Sequence, residues 1–156
     1  MKKIKLASGE MALVDAVDFQ ELSKWRWRKT SHGYIARGLR VNGKQKQVYM
    51  HRHIMSPERG MVVDHKNGNG LDNRRSNLRV CTQAQNVANS RMKNTNTSGF
   101  KGVCWSEPMQ KWVARLTVDY KQVVLGYATS KRAAYRMYVN ALRQAAGEYA
   151  NLKRTK

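Results

Sequence analysis

A chain of 156 residues, 41% of them hydrophobic, suffices for one ordinary domain or two small ones with modest cores, and a mean hydropathy of −0.71 excludes a large core. Thirty Lys and Arg against 10 Asp and Glu give a net charge of +20, spread as +8, +4 and +8 over residues 1–60, 61–98 and 99–156, so the natural partner is an extended polyanion such as nucleic acid. A membrane is excluded as a partner, since no run of about 18 apolar residues exists and MKKIKLASGEMALVD lacks the apolar core of a secretion signal.

The first segment reads as mostly β. Ile4–Leu6 and Met11–Val14 flank Ser8-Gly9-Glu10 with hairpin spacing. Asp15–Ser23 holds one short helix with Val17, Phe19 and Leu22 as its apolar side. Trp25-Arg26-Trp27-Arg28 alternates with the period of a half-buried strand. Tyr34–Val41 and Gln47–Met50 bracket Asn42-Gly43, a turn signal between two strands. Together these predict a small antiparallel sheet with its tryptophans inward and Arg26, Arg28, Arg37 and Arg40 outward, as candidates for phosphate contacts. His51 and His53 have the spacing of strand-borne metal ligands, but no Cys or third His accompanies them and Ser56-Pro57 ends the segment. A buried His51, with Arg52 facing DNA, is the preferred reading.

Val62 to Ser90 carries the chemistry. A short apolar run ends in Asp64 and His65, a loop of Gly and Asn follows, Leu78–Val80 returns as a second strand, and Thr82 with Gln85 reads as a capping box that starts a helix. Asn86 then lies in that helix, sharing a face with Ser90. Hydrolysis of a phosphodiester needs a water, a base and positive charge on the leaving oxygen. His65 is suited to be the base because an imidazole titrates near neutrality. Asp64 and Asn86 offer hard oxygens suited to Mg2+. Neighbouring strand residues point to opposite sides, so Asp64 and His65 converge only if the strand ends or bends there. A calcium loop fails: counting from Asp64, the third position is Lys66 and the sixth is Asn69, not glycine.

The run VVDHKNGNGLDNRRSNLRV, from Val62 to Val80, resembles the HNH nuclease motif in its His-Asn-Asn form, as found in phage and intron-encoded endonucleases. The resemblance is close over residues 50–90. It implies a ββα-metal fold with one divalent metal, His65 as general base, Asn77 as the motif residue that braces the loop through backbone hydrogen bonds, and Asn86 joining Asp64 as metal ligand. An amide oxygen in the last position favours Mg2+ or Mn2+ over zinc.

Beyond the helix, Lys93–Gly99 is polar and small and reads as a linker. Phe100–Trp105 reads as a strand. Lys111–Val118 alternates, with Trp112, Ala114, Leu116 and Val118 on one face and Lys111, Arg115 and Thr117 on the other. Gln122–Tyr127 makes a third strand. From Thr129 or Ser130 a helix runs to about Ala146 and ends at Gly147, its apolar stripe formed by Ala134, Met137, Tyr138, Ala141, Leu142 and Ala145. FKGVCW, the Lys111-Trp112 pair, Leu125–Tyr127 and the alanine-bearing helix resemble an AP2 DNA-binding domain. Such domains lay their sheet in the major groove, which implies Lys101, Trp105, Lys111, Arg115 and Thr117 as contacts.

The expectation is therefore an α+β protein: a small N-terminal antiparallel sheet leads into a ββα-metal nuclease unit, then a three-stranded sheet plus helix. Residues 1–92 form the nuclease domain, with the ββα unit at about 61–92; 93–99 link it to an AP2-like domain at 100–152. The expected activity is metal-dependent cleavage of double-stranded DNA, of nicking or homing type, with one Mg2+ or Mn2+ per chain and no zinc. Arg79 or Arg91 would hold a nearby phosphate. The chain would act as a monomer, with a dimer as the alternative, in the cytoplasm of a bacterial host and encoded by a phage or mobile element. Cys81 and Cys104, in no CxxC pair, fit that reducing compartment. A non-catalytic DNA-binding regulator that uses the AP2-like domain is the alternative function.

Overall fold

The structure is a computed structural model that describes residues 1–90, 92, 95–118, 121–150 and 152. Contacts divide the chain into two units, Met1–Thr82 and Gln83–Lys156. Both mix short helices with small antiparallel sheets, and the protein is of the α+β class.

The first unit opens with an antiparallel hairpin, β1 (Lys2–Lys5) and β2 (Met11–Val14), in which Ile4 faces Ala12. Helix α1 (Ala16–Leu22) follows. Leu22 is buried and Phe19 packs on the core, whereas Val17, expected beside them, is 75% exposed. Leu22 and Phe19, three apart, share a face; Val17 falls on the opposite side of so short a helix.

A three-stranded sheet in the order β3 (Arg28–Lys29), β4 (Ile35–Val41), β5 (Lys44–Tyr49) comes next. Its β4–β5 turn uses Asn42 at φ 49° and Gly43 at φ 74°, two successive positive φ values of the kind that match the twist of a hairpin. The strand expected at Trp25–Arg28 is confined to its end. Trp27 is 1% exposed and its indole N–H donates to the Leu22 carbonyl at 2.8 Å, while Trp25 is 41% exposed under the Arg37 guanidinium, 3.9 Å from the ring centre. One tryptophan is core, and the other is a platform.

The segment bearing His51 and His53 is a helix, α2 (Met50–Met55), and not a strand. Met50, His51 and Ile54 are buried. Two residues apart on a helix point in very different directions, so His51 turns inward and His53 lies against Trp27, with ring centres 6.3 Å apart. Ser56, at φ 42°, closes the helix before Pro57. Strands β6 (Val62–His65) and β7 (Leu78–Cys81) then pair antiparallel, Asp64 opposite Arg79 and His65 opposite Leu78. Leu6, Val14, Leu22, Trp27, Ile35, Met50 and Val63 form the core beneath them.

The second unit begins with α3 (Gln83–Asn89), which starts just after Thr82 as the sequence predicts. Its sheet has the order β10 (Lys121–Ala128), β9 (Lys111–Val118), β8 (Val103–Ser106), antiparallel throughout and bulged between Val124 and Gly126. Helix α4 (Lys131–Ala146) packs on it. The Ser130 side chain accepts the Ala133 amide at 3.2 Å, and Gly147 stops the helix at φ 51°. Ala134, Tyr138 and Leu142 are buried as the stripe requires, but Ala145 is exposed and Ala146 takes the buried place, the register continuing by fours from Ala134.

Two departures bear on function. Ala88 of α3 belongs to the core that α4 and β9 build, and α3 groups with the second unit. Thr95–Gly99, moreover, is a bonded turn. Asn96 accepts from Gly99 N–H at 2.8 Å and donates to the Phe100 carbonyl at 3.0 Å, and Ser98 is 4% exposed. The first strand starts at Val103, not Phe100, which leaves Lys101 in a turn. No helix among the described residues is long and apolar enough to cross a membrane.

Candidate active site

Strand β6 ends at His65, and both Asp64 and His65 are buried, at 6% and 4% exposure. Asp64 lies beside its cross-strand neighbour: Nε and Nη2 of Arg79 each stand 2.9 Å from its Oδ2. The His65 Nε2 is 3.4 Å from Oδ1 of Asn73, a residue with no exposure at all. The Asn73 amide nitrogen donates to the Gly70 carbonyl at 3.0 Å, which fixes the orientation of that side chain. Its oxygen therefore faces His65 as an acceptor, an arrangement that suits the tautomer carrying its hydrogen on Nε2.

The loop between β6 and β7 is held by its own polar residues. Asn77 donates through Nδ2 to the Asp72 carbonyl at 2.8 Å and to Asn67 Oδ1 at 3.1 Å, while its Oδ1 accepts the Asn67 amide at 3.1 Å. Lys66 N–H donates to the Asn77 carbonyl at 2.9 Å. The Asp72 carboxylate accepts from Arg74 Nε and Nη2, each at 2.7 Å, and this hydrogen bonding to a guanidinium holds its carboxyl below the usual range. The loop is also tied to the rest of its unit. Leu13 N–H donates to the Leu71 carbonyl and Asn73 N–H to that of Leu13, both at 2.8 Å, and Arg75 forks onto Asp18. Gly70 lies so near the turn at Gly33 that an added Cβ would come within 2.2 Å of the Gly33 carbonyl oxygen.

Two rings flank the His65 imidazole, and a third packs behind them. His51 stands edge-on with ring centres 5.1 Å apart, Tyr34 lies 5.9 Å away, and Tyr49 packs on His51 at 5.6 Å. Burial pushes the His51 imidazole down to about 3, helped by the nearby His65 and Arg52. Burial also lowers His65; the bond to Asn73 and the carboxylates of Asp64 and Asp72 oppose that shift. Sequence reasoning missed Asn73 because the loop is so rich in Asn that spacing singles none out. It missed Tyr34 and His51 as neighbours of His65 because only the fold brings β4, α2 and β6 together.

Asn86 is the fourth residue of α3 and is half-buried. Among the described residues no cluster of three or more His, Cys, Asp or Glu is disposed to hold a metal. One carboxylate and an amide are instead the donor types of a hard cation that keeps most of its waters.

Of the expected DNA contacts, Arg26 and Arg28 are exposed. Arg37 is half-buried over Trp25, and Arg52 is exposed with one donation to the Met61 carbonyl at 3.3 Å. Arg79 is engaged by Asp64, and Arg91 lies outside the described residues. In the second unit Lys111 is exposed, and Arg115 and Thr117 are half-buried. Lys101 is turned inward: its ammonium donates to the carbonyls of Ala88 and Ser90 at the end of α3, and burial lowers it to about 8. Trp105 pairs across the strands with Trp112, with ring centres 5.1 Å apart. Directly opposed residues share a face, so Trp105 lies on the side of Trp112, away from Lys111, Arg115 and Thr117.

Comparison with known proteins matches residues 48–88 to the HNH endonuclease family model. Protein 3.8 of Escherichia phage T7 is 33% identical over 91 residues, which is 54% of this chain and 75% of that protein. This chain belongs to the HNH endonuclease family. The matched residues run from the end of β5 through α2, β6, the loop and β7 into α3, so the HNH match contains His51, Asp64, His65, Asn73, Asn77 and Asn86. DNA endonuclease I-HmuI of Bacillus phage SP01 is 41% identical over 68 residues, 40% of this chain and 39% of that protein. No solved structure matches the chain. Membership of the HNH family makes the protein a nuclease of the hydrolase class.

Proposed function

We propose that this HNH protein is a metal-dependent endonuclease that hydrolyses a phosphodiester bond of double-stranded DNA, with His65 as general base. The observation that carries the reading is the seat of His65: buried at the end of β6, with its Nε2 3.4 Å from Oδ1 of the fully buried Asn73. Nδ1 takes the proton of the attacking water, and the bond to Asn73 steadies the imidazolium that forms. Asn77, Asp72 and Arg74 keep the loop rigid, so that the base holds its aim. Asp64 and Asn86 are assigned as ligands of one Mg2+ or Mn2+ by the motif and by their donor chemistry. When bound, that cation supplies Lewis acidity at the phosphate and charge for the departing 3′ oxygen.

Exposed Arg26, Arg28, Arg40 and Arg52 are assigned to backbone phosphates, and the second unit to an AP2-like grip through Lys111, Arg115 and Thr117. Acting as a monomer with one catalytic His, the chain cuts one strand per encounter; its place of action is the cytoplasm of a phage host. Conversion of supercoiled plasmid to the open circle tests the reading. Wild type with Mg2+ nicks, added EDTA stops it, and His65→Ala binds duplex DNA in a gel shift but leaves the plasmid supercoiled. Full activity of His65→Ala would sink the proposal. The pairing of Arg79 with Asp64 is the observation that favours a non-catalytic DNA-binding role, and absence of nicking by wild type in either Mg2+ or Mn2+ would establish it.

A further inference from the structure

We infer that His51 and Tyr34 form an aromatic cradle that sets the plane of the His65 imidazole, so that both are positioning residues for the nuclease reaction. The inference rests on the reading of His65 as general base. His51 approaches His65 edge-on, at 5.1 Å between centres and an interplanar angle of 75°. Tyr34 stands at 5.9 Å from His65 and 5.3 Å from His51, so the three rings close on one another. Each comes from a different element, β4's leading edge, α2 and β6, and each ring therefore limits the rotation of the others.

The contact works through shape. His51 is 7% exposed, and its Nδ1 is buried with no hydrogen-bond partner among the described residues. Its contacts with His65 and Tyr34 are ring against ring, at 5.1 and 5.3 Å between centres. What His51 gives His65 is a flat, rigid wall on one side, and Tyr34 supplies a second wall. Asn73 holds the Nε2 end of the His65 ring, and the rings of His51 and Tyr34 flank it and oppose its rotation.

Initial-rate nicking of a duplex in Mg2+, with kcat and KM separated, tests the cradle. A misplaced catalytic group costs on the order of a hundredfold, so His51→Ala and Tyr34→Ala should each lower kcat by about ten- to a hundredfold with KM and gel-shift affinity unchanged. His51→Phe and Tyr34→Phe, which keep a flat ring, should recover most of that loss. Equal damage in His51→Phe and His51→Ala would overturn the inference by showing that the nitrogens matter, as would a change confined to KM. Tyr34, at the surface, carries the test if His51→Ala does not fold. His65→Ala, run in parallel, separates the two readings: if it still cuts, the assignment of the base has failed, and if it is dead while both alanine variants of the cradle cut normally, only the cradle has failed.

Discussion

Asn73 Oδ1 faces His65 Nε2 at 3.4 Å from a position with no solvent exposure. A side chain that orients a reacting imidazole in this way typically contributes about ten- to a hundredfold to activity. Asn73→Ala is therefore expected to lower kcat for nicking by that factor. It should also lower stability by about 1–3 kcal/mol, since the Gly70 carbonyl and the His65 ring lose a buried partner. Nicking rates and urea unfolding of the same preparation check both numbers. Asn73→Asp, which keeps the acceptor but brings a charge beside the ring, should raise the pH at which the rate begins to fall on acidification.

Gly70 and Gly33 touch backbone to backbone. A Cβ on Gly70 would meet the Gly33 carbonyl at 2.2 Å, and neither partner is the movable end of a side chain. Overpacking of this kind costs about 1–3 kcal/mol. Gly70→Ala should show that loss in thermal or urea unfolding, together with a drop in kcat as the loop shifts.

Acid should weaken the first unit in a way that depends on His51. Its folded pKa is about 3 against an ordinary 6.5, so between those values the unfolded chain binds a proton that the folded one refuses. The stabilisation is complete above pH 6.5 and shrinks as pH falls toward 3, with a slope of at most about 1.4 kcal/mol per pH unit for one proton. His65, lowered by burial as well, acts in the same direction. Urea unfolding at pH 7.5, 6 and 5 should show the decline, and His51→Phe should flatten it.

Salt dependence tests the phosphate contacts. Each neutralised phosphate steepens the plot of log affinity against log salt by about 0.9 on duplex DNA. Arg28→Ala and Arg40→Ala, both at exposed positions, should each reduce the slope by about that amount on any sequence. Lys101→Met should leave the slope unchanged, because the Lys101 ammonium is spent on the carbonyls of Ala88 and Ser90.

Local signals were legible and distant ones were not. Ser130 and Gly147 bracket α4 because a cap and a positive-φ stop act within a turn, and Asn42-Gly43 marks its hairpin for the same reason. Strict alternation misled at Trp25–Arg28, where Trp27 enters the core but Trp25 stays outside under Arg37, since a period of two also arises by chance over four residues. The burial of His51 was legible, but the helix that buries it together with Met50 and Ile54 was not, because six residues are too few to display a period. At the candidate site, Asp64, His65 and Asn77 stand in one short stretch and are visible as a motif. Their neighbours Asn73, His51 and Tyr34 are selected by packing across elements, which no spacing encodes.

Ala88 packs in the second core and Lys101 closes the end of α3. The helix that completes the HNH match is thus dependent for its stability on residues beyond the match. A recombination event, or a protein engineer, that transplants residues 48–88 alone would carry α3 without its anchor. The heritable unit of this nuclease is larger than its motif, and exchange of the C-terminal sheet for another DNA-binding fold would succeed only where the newcomer also supplies a seat for Ala88 and a donor in place of Lys101.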